Sequence, residues 1–116
     1  IEADLRTHEI GEDFDCVVSI GLLMFFDCAT ALRVLALLQA HVRPGGIAAI
    51  NVLAEGTTYL DMFQPGHYCL FARNEMASRF AGWDIIHSEF RDFDAPDQRM
   101  KSFVTLIARK PAPQAR

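Results

Sequence analysis

The sequence predicts an α/β fold, a mostly parallel sheet with helices on its faces and one antiparallel hairpin strand at the C-terminal end. Three observations predict it. Phe14-Asp15-Cys16-Val17-Val18-Ser19-Ile20 is nearly continuous in apolar character, which marks a strand covered on both faces rather than half-solvated. A helical pattern and a second apolar run, Ile47-Ala48-Ala49-Ile50-Asn51-Val52-Leu53, follow it, and a strand–helix–strand crossover makes the two strands parallel. Lastly, residues 83–90 and 101–109 read as strands whose connection is too short for a crossover, so they pair antiparallel.

Taken in order, Ile1-Glu2-Ala3-Asp4-Leu5 resembles the end of a strand, and residues 9–13 are a polar turn. The first residue is Ile rather than Met, so the chain is expected to be the C-terminal part of a longer protein. A helix is predicted over residues 27–42, with Asp27 as its N-cap. Leu35, Leu38 and Val42 mark its apolar side and Arg33, Gln39 and Arg43 its polar side; Pro44-Gly45-Gly46 ends it. Residues 54–72, rich in Gly, Thr, Pro and aromatic side chains, form a long irregular segment of the kind that covers active sites. Arg73 or Asn74 opens a short helix carrying Met76 and Phe80, and Gly82 suits the C′ position after it. A polar turn over residues 92–99, with Pro96, separates the last two strands. The domain is therefore read as residues 1–110, and the Pro-containing residues 111–116 as a disordered tail.

At 116 residues and 51% hydrophobic composition, the chain is one domain with material for a packed core. A net charge of −4 with scattered Lys and Arg argues against nucleic acid or an anionic membrane as partner. No apolar run approaches the roughly 18 residues of a membrane span, and a cytoplasmic location is expected. The three cysteines, Cys16, Cys28 and Cys69, form no CxxC pair and are expected to be reduced and to act as small hydrophobes. None of His8, His41, His67 and His87 pairs with zinc-motif spacing, so no metal site is expected.

In an open parallel sheet, ligands bind at the carboxyl ends of the strands, which places residues 19–22 and 51–56 on one binding edge. The ordered set Ala3-Asp4-Leu5, Phe14-Asp15-Cys16-Val17-Val18-Ser19, Arg43-Pro44-Gly45-Gly46, Gly82-Trp83 and the closing strand up to Lys110 resembles the C-terminal half of class I S-adenosylmethionine-dependent methyltransferases. Within them it is most similar to the TehB-type tellurite-resistance group. Leu23-Met24-Phe25-Phe26, residues 71–83 and the ending Phe103-Val104-Thr105-Leu106-Ile107-Ala108-Arg109-Lys110 carry that likeness. The resemblance implies a Rossmann-like sheet, S-adenosylmethionine as cofactor, and a small-molecule acceptor, with a tellurite-like chalcogen oxyanion as one candidate. It also implies that the N-terminal strands and the Gly-rich loop lie upstream of Ile1. On that reading this chain alone binds the cofactor weakly or not at all and is inactive, whereas the parent protein is an enzyme.

The resemblance further assigns adenine contacts to Asp4 and Leu5, and the methionine side of the cofactor to Ser19, Ile20 and Gly21. The chemistry is consistent: a carboxylate accepts from an exocyclic amine, and a backbone N–H serves a ring nitrogen. Gly21 would allow close approach of a ligand. For catalysis, Arg91 falls on the first arginine of the group's His-Arg pair, but Phe90 stands at the histidine and Gln98 at the next arginine, beside Arg99. The partial match weakens the case for an oxyanion. Glu89 and Asp92 could instead neutralise Arg91 as a surface cation. His67 is a candidate base, or a solvated loop histidine. Tyr59, Phe63, Tyr68 and Phe71 wall a pocket or pack the covering segment. The alternative to an enzyme is a non-catalytic methyltransferase-like module acting in protein assembly. An exposed edge on the strand at residues 14–20 would favour a homodimer.

Overall fold

The computed structural model describes residues 13–60, 63 and 67–112. Its elements are β1 (Phe14–Ile20), a 3-10 turn (Leu23–Phe25), α1 (Cys28–Ala40), β2 (Val42–Leu53), α2 (Glu75–Arg79), β3 (Asp84–Ala95) and β4 (Arg99–Arg109). The sheet is mixed, in the order β1-β2-β4-β3, with β1 parallel to β2 and β4 antiparallel to both its neighbours. The last strand thus inserts between the second and third.

Alternation along β2 places Ala48, Ile50 and Val52 on a buried face and leaves Ile47, Ala49 and Asn51 half-buried. The same face of β4 carries Val104, Leu106 and Ala108, each opposite a buried residue of β2. Ala31, Val34, Leu35 and Leu38 of α1 recur at three- and four-residue spacing and pack on this face, as do Met76 and Phe80 beside α2. Each fully buried side chain of this size contributes roughly 1.5–3 kcal/mol. Both helices lie on one face. On the other, Val18 and Ile20 of β1 are 58% and 71% exposed, so among the described residues β1 is an edge strand open on one face rather than covered on both. No helix among the described residues is long and apolar enough to cross a membrane.

The Pro-Gly-Gly run does not end the helix. α1 stops at Ala40 with His41 as its C-cap, and β2 begins at once. Phe14 pairs with Val42 but Cys16 pairs with Ile47, so residues 43–46 bulge out opposite the single residue Asp15. Gly45 adopts φ +81, and a Cβ on Gly46 would lie 2.7 Å from the Asp15 carbonyl oxygen. The end of the chain fastens this bulge. Gly45 N–H donates to the Lys110 carbonyl (2.9 Å), Lys110 N–H to the Gly46 carbonyl (2.8 Å), and Arg109 Nη1 to the Gly45 carbonyl (2.9 Å). Lys110 Nζ also donates to the Gln39 and Val42 carbonyls, both at 2.9 Å, which sets a cation at the negative end of α1.

Asp27 holds the extended backbone of an N-cap, although its side chain makes no capping bond. The expected polar turn over residues 92–99 is tighter than predicted. β3 continues to Ala95, β4 starts at Arg99, and Asp97 and Gln98 occupy the turn at φ 61 and 59. Such a turn needs two left-handed residues and usually announces itself as Asn-Gly; Asp-Gln carries no such signal.

The cysteine expectation is corrected. Cys28 and Cys69 form a disulfide with a Cα–Cα distance of 4.8 Å, and only Cys16 keeps a free thiol. The pair meets because the chain after β2 folds back onto the start of α1.

Candidate functional site

β1 and β2 end side by side, with Ile20 opposite Asn51, and the Gly21 N–H donates to the Asn51 carbonyl at 3.1 Å. Gly21 then takes φ +65 and turns the chain off the sheet into the 3-10 turn. Here the dihedral favours glycine. The nearest atom to an added Cβ is Met24 Cε at 3.7 Å, an ordinary contact. Ser19, two residues earlier, is buried, and its Oγ has no hydrogen-bond partner among the described residues. An orphaned buried hydroxyl costs about 1–3 kcal/mol. Ser19→Ala is therefore expected to raise stability by about 1 kcal/mol. Urea midpoints measure it; a lower midpoint would mean that the hydroxyl is paired.

The second wall comes from the segment after β2. Ala54 bridges to Phe71, with the Phe71 N–H donating to the Leu53 carbonyl (3.0 Å) and the Glu55 N–H to the Phe71 carbonyl (2.8 Å). Two residues before, the Cys69 N–H donates to the Met24 carbonyl at 3.0 Å. Residues 67–71 thus run from the end of β2 to the 3-10 turn. This brings Phe25 within 5.0 Å of Phe63 and Phe63 within 5.1 Å of Tyr68, centroid to centroid. Together with exposed Ile20, Leu22 and Phe25, these rings give the carboxyl edge an apolar, aromatic rim.

The four aromatic residues singled out in the sequence therefore separate. Phe63 and Tyr68 join this rim, Phe71 is fully buried in the core, and Tyr59 stacks under Lys101 and Arg99 at 5.1 and 5.2 Å. His67 is exposed next to Tyr68. Arg91 lies opposite Phe103 on β3, three strand positions from β1, which is roughly 14 Å at ordinary strand spacing. It is ion-paired with Glu89, and Asp92 instead accepts from Ser102 Oγ at 2.7 Å. The fold thus gathers Ser19, Ile20 and Gly21, with His67 on the stretch that returns to their turn, and leaves Arg91 apart. Gln98, at the expected second arginine, sits at the exposed hairpin tip. Asp4 and Leu5 lie outside the described residues. Phe25 was missed as a rim residue, although the run Leu23-Met24-Phe25-Phe26 marked its neighbourhood.

A family profile described as tellurite resistance protein TehB matches residues 2–106. Among curated proteins, the chain is 27% identical over 113 residues to the probable S-adenosyl-L-methionine-dependent methyltransferase TehB of Haemophilus influenzae, covering 92% of this chain and 39% of that protein. It is also 27% identical over 114 residues to hemagglutinin 1 of Eikenella corrodens, covering 93% of this chain and 37% of the relative. The chain thus spans about two fifths of the length of these relatives. Among solved structures, TehB from Haemophilus influenzae superposes with a TM-score of 0.75 at 19% identity, over 93% of this chain and 39% of the other. The N-methyltransferase NodS from Bradyrhizobium japonicum, in complex with S-adenosyl-l-homocysteine, gives 0.66 at 14% identity, over 94% and 52%. These likenesses show a class I methyltransferase fold, Rossmann-like.

Proposed function

Because this chain belongs to the TehB tellurite-resistance family, we propose that the protein is an S-adenosylmethionine-dependent methyltransferase acting on a small molecule. The observation that carries the reading is the turn at Ser19-Ile20-Gly21, set beside Asn51 at the carboxyl end of the parallel pair, with a buried hydroxyl that has no partner among the described residues. When bound, the cofactor supplies a methyl group on a sulfonium centre. The residues fit its methionine side. Ser19 offers a polar group with no partner among the described residues beneath the edge, and Ile20, Leu22 and Phe25 offer apolar surface for the methylene carbons of the methionine side. Methyl transfer is an in-line displacement, so the chain's own task is to align the acceptor and exclude water. The rim of Phe25, Phe63 and Tyr68 serves the second, and His67 beside it is positioned to take a proton from an acceptor that carries one.

The acceptor is better described as a small organic molecule than as a chalcogen oxyanion. Arg91 already has its charge met by Glu89, and an oxyanion site would need a free cation there. The deciding experiment is a methyl-transfer assay of the full-length protein against tellurite, selenite and small thiols and amines, alongside a cofactor titration. Saturable cofactor binding with transfer to the organic acceptors is expected. Transfer confined to tellurite would reverse the choice of acceptor. Neither binding nor transfer would favour the second reading, a non-catalytic methyltransferase-like module in protein assembly.

A further inference from the structure

We propose that Cys28 and Cys69 form a redox-sensitive staple that fixes residues 67–71 to the corner between the 3-10 turn and α1, and so sets where His67 and Tyr68 stand. The stretch is held at two points of unequal strength. At one end Phe71 is fully buried and its backbone makes two hydrogen bonds to the end of β2. At the other, Cys69 has, among the described residues, one backbone hydrogen bond, to Met24, and the disulfide. Breaking the disulfide leaves the Phe71 end in place and the Cys69 end on a single bond, so the change is local to the residues that carry the rim.

The two residues differ in access. Cys28 is the first residue of α1 and exposed, whereas Cys69 is 3% exposed in the core. A thiolate from a dithiol reductant can reach Cys28 first, forming a mixed disulfide there and releasing Cys69 as thiolate, which takes up a proton. The second thiol of the reductant then displaces Cys28. Two electrons and two protons have moved, the protein holds two thiols and the reductant holds the disulfide. Cys16 on β1 is exposed and keeps its thiol in both states, which gives an internal reference.

The consequence for methyl transfer rests on the function proposed above, but the test does not. Hydrogen exchange is followed on the full-length protein with and without dithiothreitol, and alkylation with mass spectrometry reports which cysteines are free. Before reduction only Cys16 of these three should alkylate; afterwards all three should. Exchange at the Cys69 amide should quicken on reduction at least tenfold more than exchange at the amides of β2 and β4, which follow only the loss of overall stability. Cys28→Ser, which alters the exposed partner and leaves the core residue intact, should match reduced wild type and ignore dithiothreitol. Three results would overturn the staple: alkylation of Cys28 and Cys69 without reductant, unchanged exchange at Cys69, or equal quickening throughout β2 and β4, the mark of a purely structural cross-link.

Discussion

Gly46→Val is expected to prevent stable folding. An added Cβ at this position would stand 2.7 Å from the Asp15 carbonyl oxygen, 2.9 Å from the Arg43 carbonyl oxygen and 3.0 Å from Val42 Cγ1. Two of the three are backbone atoms of the strands that must pair, so no rotamer change relieves the overlap. β1 has to move off β2, which breaks the parallel ladder and displaces the turn at Ser19-Ile20-Gly21 with it. The cost should exceed about 4 kcal/mol, against total stabilities of about 5–15 kcal/mol for native domains. Gly45 provides the contrast. Nothing lies within 4 Å of a Cβ there, and only its φ of +81 opposes a side chain, so Gly45→Ala should cost about 1–2 kcal/mol. Urea denaturation of the two variants checks the order. If Gly46→Val unfolds at the midpoint of Gly45→Ala, the close approach of the strands is not what requires the second glycine.

The same motif shows what the sequence discloses and what it hides. Arg43-Pro44-Gly45-Gly46 was legible as a punctuation mark because Pro and Gly oppose regular structure. Its role as a bulge inside β2 depended on Asp15 and Lys110, far away in the chain, and no local pattern carries that. β1 was legible to its ends, since a nearly continuous apolar run bounded by Asp13 and Gly21 leaves little choice. Its open face was not, because Val18 and Ile20 read alike whether or not a layer covers them. The hairpin was legible as antiparallel from its short connection, yet its tip was hidden by the absence of glycine at residues 97 and 98. Of the candidate site, Ser19 to Gly21 could be placed from strand order alone. The disulfide could not, because a separation of 41 residues with no motif gives pairing no signal until the chain is seen to return. Arg91 differs again: the resemblance named its position, while its ion pair with Glu89, two residues away, is seen only in the fold.

Phe71→Ala should destabilise the protein by about 3–5 kcal/mol, the usual cost of truncating a fully buried phenylalanine. The ring is 0% exposed and belongs to the cluster formed by α1, β2 and β4. The hole it leaves would open beneath the backbone bridge from Phe71 to Ala54, so relaxation of that bridge frees the segment that carries His67 and Tyr68. Phe71→Leu keeps most of the volume and should cost less than about 1.5 kcal/mol. Cys28→Ser removes a cross-link between residues 41 apart, worth between about 3 and 5 kcal/mol by chain entropy. The two substitutions act on one stretch, with Phe71 and Cys69 only two residues apart. Their effects should therefore fail to add, by about 0.5–3 kcal/mol. A double-mutant cycle in urea measures the difference, and strict additivity would mean that the Phe71 anchor and the disulfide hold the stretch independently. Coupling, by contrast, would mean that the rim at the carboxyl edge is secured by both attachments together, so that loosening either changes the hold of the other.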